Sequence, residues 1–351
     1  MNTIVEFVDE KEPNVDIIKL AGDTIRKGGL VVFPTETVYG LGANALDSEA
    51  VHKIFIAKGR PQDNPLIIHV ADFDIEEFVE EIPPIAKKMM DKFWPGPLTL
   101  IMKKSSKVPD ITSAGLDSIG IRMPSNSVAN RLIKEAGVPI AAPSANISGR
   151  PSPTDIDTCI EDLTGRVDCI IGGEKCKIGL ESTIVDCTVE PPLVLRPGGI
   201  ILEMLREIHP EIQIDPAVMI KVEGSFKPKA PGMKYRHYAP KAPVKIVVGD
   251  LEKTVAKINE IVQNYIDDGK KIGIMASNET IHMYPKGIVK SLGSRSNLNS
   301  VARNLFKTLR DFDNDKVDII LSESFEEKGV GIAIMNRLKK AAGFELINAD
   351  T

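Results

Sequence analysis

The chain has 351 residues, 42% hydrophobic and 26% charged, the profile of a globular protein long enough for two domains. Its net charge of −5 excludes a surface that is basic throughout, so any polyanion site must be a local patch. No run of eighteen apolar residues occurs and the opening MNTIVEFVDEKEP is acidic, which argues against a membrane span or signal peptide and for a cytoplasmic protein.

NVDIIKLAGDTIRKGG predicts an opening helix, with Ile17, Leu20, Ala21, Thr24 and Ile25 on one face and Gly28 and Gly29 ending it. LVVF follows as a strand that breaks at Pro34 into Thr35, Glu36, Thr37 and Tyr39. Gly40 and Gly42 are expected to let the backbone turn closely beside a ligand, and Glu36 to serve as a turn acceptor rather than a general base. SEAVHKIFIAKGR predicts a second helix capped by Asp47 or Ser48, NPLIIHV a strand, and PPIAKKMMDKFW a helix stopped by PGP. LTLIMKK, SIGIRMP, VPIAAPSAN, DCIIGG, STIVDC and PLVLRPG read as short strands, with NSVANRLIKEAG as a helix among them. These strands are too numerous and too close for regular βαβ units, so a mixed α/β domain is expected over residues 1–217.

Residues 221–245 hold four prolines, two glycines, seven Lys or Arg and one Glu. Such a stretch cannot bury a core, so 218–242 reads as a basic, Pro-rich linker or arm. Met233, Tyr235, His237 and Tyr238 among its cations point to a working segment. Beyond it, VKIVV, LEKTVAKINEIVQNYIDD, KIGIMAS, LNSVARNLFKTLRDFD, VDIILSES and GIAIMNRLKKAAG alternate strand with helix. That alternation predicts a small Rossmann-like parallel α/β domain over 243–351.

No G-x-x-x-x-G-K-[ST] phosphate loop, strand-linked G-x-G-x-x-G, H-E-x-x-H or G-x-S-x-G occurs. Cys159, Cys169, Cys176 and Cys187 lack CxxC spacing and read as reduced, partly buried thiols. Five other segments carry groups suited to anions. In KGRPQDNPLIIH, Lys58 and Arg60 end a helix just before a Pro turn, and His69 closes the strand. In IGIRMP, Arg122 lies between apolar neighbours and either faces solvent or grips a carboxylate. PIAAPSANISGRPSPT runs from a strand into Ser144, Asn146, Ser148 and Arg150, donors suited to phosphate oxygens and a ribose. GLESTIVD and LRPGG open and close strands with Ser182, Thr183 and Arg196. Each is weak alone; together they describe an open α/β site rich in anion-binding groups.

FPTETVYGLGANA, KGRPQDNPL, WPGPLT, RMP, PSANISGRPSPT, GLESTIVD, RPG and APGMKYRHYAP closely resemble the threonylcarbamoyl-AMP synthase family in its long form, a YrdC-type domain plus a C-terminal domain. The resemblance covers nearly the whole chain, though the last domain matches mainly in ARNLF and GIAIMNR. It implies a twisted mixed sheet with an open concave site. It also implies formation of L-threonylcarbamoyl adenylate and pyrophosphate from L-threonine, bicarbonate or carbon dioxide, and ATP with Mg2+. The product would pass to a tRNA threonylcarbamoyl transferase complex that modifies the adenosine beside the anticodon, and weak tRNA binding is compatible with this. Lys58, Arg60, Ser144, Asn146, Arg150, Arg196 and Tyr235 resemble the family's ATP contacts. Thr35, His69, Arg122 and Ser182 resemble its L-threonine side. No covalent nucleophile is expected; Lys58 and Arg60 would act electrostatically, and no metal ligands are assigned. The basic arm is expected to close over the site as a lid that keeps water from the labile product. The competing reading is an RNA-binding module without synthase activity. A carbamoyl transferase of hydrogenase maturation is a weaker rival, because the Cys-rich zinc pairs are missing.

Overall fold

The computed structural model describes residues 2–220, 228–231 and 237–350. By contact, the chain divides into one unit of residues 1–148 and 152–234, and a second of residues 149–151 and 235–351. Tyr235 and residues 221–227 and 232–236 of the expected lid lie outside the described residues.

The first unit opens with β1 (Ile4–Val8), α1 (Val15–Arg26), β2 (Val31–Phe33), β3 (Gly40–Asn44), α2 (Ser48–Lys58) and β4 (Ile67–His69). It continues through α3 (Pro84–Phe93), β5 (Leu98–Lys103), α4 (Asp110–Ser113), β6 (Ser118–Arg122), α5 (Ser127–Ala136) and β7 (Ile140–Ala141). It ends with α6 (Ile156–Leu163), β8 (Cys169–Gly173), β9 (Thr183–Asp186), β10 (Leu193–Arg196), α7 (Leu202–Arg206) and β11 (Gln213–Ile214). The strands form one sheet in the order β1-β8-β2-β3-β7-β4-β6-β5-β9-β10-β11. Pairings are mixed: β4–β6 is parallel, and β5–β6 and β2–β3 are antiparallel. Alternating residues send side chains to opposite faces. Val31, Phe33 and Ile140 pack with Ile18, Ala21 and Ile25 of α1 and Leu132 of α5. Val32, Leu41 and Ile68 pack with Ile54 of α2, Met89 of α3 and Leu163 of α6.

Gly40 and Gly42 do not form the turn expected of them. Both lie in β3, paired with Phe33 and Val31, so neither turns the chain. A Cβ on Gly42 would stand 2.7 Å from Ile140 Cγ2 and 2.8 Å from Phe33 Cε1. The glycine is required by the Phe33 ring lying across its neighbour strand. The strand went unread because GLGAN carries no apolar alternation.

The second unit contains β12 (Val244–Val248), α8 (Leu251–Asp267), β13 (Ile272–Ala276), β14 (Ile288–Ser291), α9 (Leu298–Asp315), β15 (Ile319–Glu323), α10 (Val330–Ala341) and β16 (Leu346–Asn348). All pairings are parallel, in the order β14-β13-β15-β12-β16. Val255, Ile258 and Val262 of α8 cover Ile272 and Ile274 on one face. On the other, a Cβ on Gly273 would meet the Phe312 ring of α9 at 2.6 Å. Within this unit Tyr238 stacks on Phe306 at 4.9 Å, and Arg310 donates Nε and Nη2 to the Pro151 carbonyl at 3.0 and 2.6 Å. Among the described residues no helix is long and apolar enough to cross a membrane.

Candidate active site

The loop from Pro34 to Tyr39 is closed by Thr35. Its Oγ1 accepts from the backbone N–H of Thr37 (3.1 Å) and Val38 (3.3 Å) and donates to the Val38 carbonyl at 2.6 Å. Hydroxyl closure of this kind leaves Glu36 without the turn role expected for it. Its carboxylate instead lies 2.7 Å from Arg122 Nη2, both side chains buried. Arg122, at the end of β6, also donates to Thr37 Oγ1 (2.9 Å) and reaches the Gly96 carbonyl through Nε (3.4 Å). Of the two readings of Arg122, the buried one holds, and the carboxylate it meets belongs to this chain.

β4 pairs in parallel with β6, placing His69 beside Arg122. Burial, with the Arg122 charge second, lowers the His69 pKa from its ordinary 6.5 to about 3. The imidazole is therefore neutral at pH 7, and its Nδ1 is buried without a hydrogen-bond partner. This has a consequence for stability. Above pH 6.5 neither folded nor unfolded chain holds the proton. Between pH 6.5 and about 3 only the unfolded chain does, so stability falls as pH falls through that window. At pH 5 the loss relative to pH 7 is about 2 kcal/mol from this residue. Urea unfolding at the two pH values should show a steeper loss for the wild type than for His69→Gln; equal losses would contradict the assignment.

On the other side of Arg122, β5 runs antiparallel to β6 and pairs Thr99 with Arg122. The fully buried Thr99 Oγ1 lies 2.8 Å from Ser182 Oγ. Arg196, at the end of β10, donates Nε to the Ser182 carbonyl (3.0 Å) and Nη2 to Ser182 Oγ (3.1 Å). Thus Thr35, His69, Arg122, Ser182 and Arg196 form one chain of neighbours. Thr37 and Thr99 complete it and were not singled out from sequence. Thr99 could have been found as a hydroxyl inside an otherwise apolar strand, Leu98 to Met102.

Of the expected nucleotide residues, Lys58, Ser144 and Asn146 form a second group, while Arg196 lies in the first. Gly59 takes the left-handed conformation (φ 61°) and ends α2 at Lys58. Lys58 is buried, with Nζ donating to the backbone carbonyls of Ser144 and Asn146. Ser144 Oγ donates to Asn146 Oδ1 at 2.6 Å, and Arg60 Nη2 reaches the carbonyls of Asn64 (3.3 Å) and Pro65 (3.2 Å). The two groups flank the same loop, because the Ala145 N–H donates to the Tyr39 carbonyl at 2.8 Å. Glu181, a further residue not singled out, accepts from Ser152 Oγ at 2.6 Å. Arg150 falls in the segment 149–151 that belongs to the second unit, so the first unit does not itself bring it to this cluster.

The four cysteines are free and buried. Burial raises the Cys169 thiol to about 11 and pushes Cys176 and Cys187 higher still. These three thiols stay protonated at neutral pH and are poor nucleophiles.

Buried cations, hydroxyls and the carboxylates of Glu36 and Glu181 on a mixed sheet, followed by a parallel α/β unit, define this as a two-unit α/β protein with a polar cluster at its strand ends. A family model described as "Telomere recombination" (Sua5_yciO_yrdC) matches residues 23–198, and one described as "Threonylcarbamoyl-AMP synthase, C-terminal domain" matches 200–343. A threonylcarbamoyl-AMP synthase of Pyrococcus abyssi is 51% identical over 94% of this chain and 95% of its own; one of Bacillus subtilis is 46% identical over 98% of each. The crystal structure of P. abyssi Sua5 complexed with L-threonine superimposes with a TM-score of 0.90 at 48% identity, covering 99% of this chain and 98% of that one. The chain belongs to the threonylcarbamoyl-AMP synthase family.

Proposed function

We propose that the chain joins L-threonine, bicarbonate or carbon dioxide, and ATP into threonylcarbamoyl-AMP with release of pyrophosphate, for threonylcarbamoyladenosine formation in tRNA. The observation that carries this reading is the continuous group His69–Arg122–Thr99–Ser182–Arg196 beside Lys58 and its Ser144–Asn146 loop. His69, Arg122, Thr99 and Ser182 would face the amino acid, and Lys58 with its loop the nucleotide, with Arg196 on Ser182 standing between the two. The threonine amine would capture the one-carbon unit as a carbamate, whose oxygen attacks the α-phosphate of ATP. Carboxylate, carbamate and triphosphate repel one another, so the work is positioning and charge stabilisation by fixed donors. Magnesium enters with ATP as part of that substrate.

The RNA-binding alternative is not favoured, since relatives matching over most of the chain are named as synthases. The direct test is pyrophosphate release with ATP, adding L-threonine and bicarbonate separately and together. Release only with both is expected. Release that ignores L-threonine, or tRNA binding without release, would overturn the reading.

A further inference from the structure

At the end of β2 opposite the Thr35 loop, the surface opens into a groove of about 740 Å³. Its floor is apolar, made by Leu30 just before β2 and by Ile56 and Ala57 of α2. Ile56 faces away from the core and is 64% exposed. Three exposed cations surround it: Lys27 at the end of α1, Lys53 nearly one turn before Ile56 on α2, and Arg166 between α6 and β8. Two of them are anchored by main chain. Lys53 Nζ donates to the Gly28 carbonyl at 2.7 Å, and Arg166 Nη1 to the Ala57 carbonyl at 3.3 Å. Among the described residues none of the three has a carboxylate within ion-pair distance. Asp168 is the one acid in the lining, and its Oδ2 accepts from the Leu30 N–H at 2.8 Å. The groove thus holds surplus positive charge around an apolar centre, on a chain whose net charge is −5.

A lone exposed isoleucine is ordinary, and so is a lysine at a helix C-terminus. Apolar surface ringed by polar groups marks an interaction site, and here the ring has one sign. The occupant must therefore bring carboxylates or phosphates together with an apolar group. A nucleic-acid strand brings the charge, but its bases stack on aromatic side chains, and the lining has none. An acidic polypeptide brings both. We propose that this groove docks an acidic segment of a partner protein. One apolar side chain of that segment covers Ile56, and flanking carboxylates meet Lys27, Lys53 and Arg166. The guanidinium suits a carboxylate best, since its fork matches the two oxygens. Because the groove and the Thr35 loop lie at opposite ends of β2, docking leaves that loop open. It is also independent of what the catalytic site turns over.

Fluorescence anisotropy of the full chain with a labelled peptide, Glu-Asp-Leu-Phe-Glu-Asp, tests this at low salt. The wild type should bind it about tenfold or more tightly than the same peptide with Gln and Asn in place of its acids. Ile56→Asp, and separately Lys53→Glu with Arg166→Glu, should each weaken the acidic peptide by about tenfold or more. If either variant misfolds by circular dichroism, Lys27→Glu replaces it, since that side chain anchors nothing, and a loss of about threefold or more is expected. No binding to the wild type, equal binding of the two peptides, or binding that ignores the variants would overturn the proposal. A labelled single-stranded RNA hexamer that binds more tightly than the peptide and is lost in the same variants would assign the groove to nucleic acid instead. Self-association in sedimentation velocity that the same variants abolish would assign it to a second copy of this chain. Either result overturns the partner-protein assignment.

Discussion

Lys58→Met is expected to slow pyrophosphate release at saturating ATP, L-threonine and bicarbonate by roughly 100-fold or more. Methionine keeps much of the buried volume but removes the charge and both bonds to the loop carbonyls of Ser144 and Asn146. Those carbonyls then lose a charged donor at a buried position, at about 1–3 kcal/mol each. The variant should therefore also unfold at lower urea, by about 2–4 kcal/mol. The rate is best read well below the unfolding midpoint, so that loss of fold does not pass for loss of chemistry. Lys58→Arg is the companion variant: it keeps the charge on a planar fork that does not suit two carbonyls converging on one ammonium. Its rate should fall between the two. A folded Lys58→Met that works within threefold of the wild type would remove Lys58 from the nucleotide side of the site.

Much of this architecture is readable in the chain. The helices announce themselves by periodicity and punctuation, as with α2, where Asp47 caps the start and Gly59 turns the end. Most of the second unit is legible because α8, α9, α10 and the strands β12, β13 and β15 are long enough to show their own period. What escaped were strands without a pattern. β3 is GLGAN, and β14 and β16 of the second unit are only four and three residues long. The candidate site was legible as residue types, not as connections. Nothing local tells that the Arg122 fork meets Glu36, 86 positions earlier, or that Lys58 ties down a loop 86 to 88 positions later. Such links come from sheet order, and sheet order is a long-range property. Cations that looked like rim charges waiting for phosphate prove to be organisers of the loops as well.

Arg122→Met is expected to be among the most destabilising single changes in the first unit, at about 3–5 kcal/mol, because it leaves the Glu36 carboxylate buried without its cation. Against a typical total of about 5–15 kcal/mol, that is enough to shift the unfolding transition visibly. The informative comparison is the double variant Arg122→Met with Glu36→Leu. Removing both charges removes the desolvation problem, so the double should recover most of the stability lost by the single. It should not recover function. On the proposed reading the substrate carboxylate then loses a charge-assisted bond of about 1.5–3 kcal/mol, so affinity for L-threonine should fall roughly ten- to hundredfold in single and double alike. Urea midpoints and the L-threonine dependence of pyrophosphate release check the two halves separately. A double variant that stays as unstable as the single would show that Arg122 supports the fold mainly through Thr37 and Gly96, and that the ion pair is incidental to it. One that regains L-threonine affinity along with stability would show that Arg122 never touched the substrate. The expected split, stability restored and affinity lost, is what distinguishes an ion pair kept for a ligand from one kept for the fold.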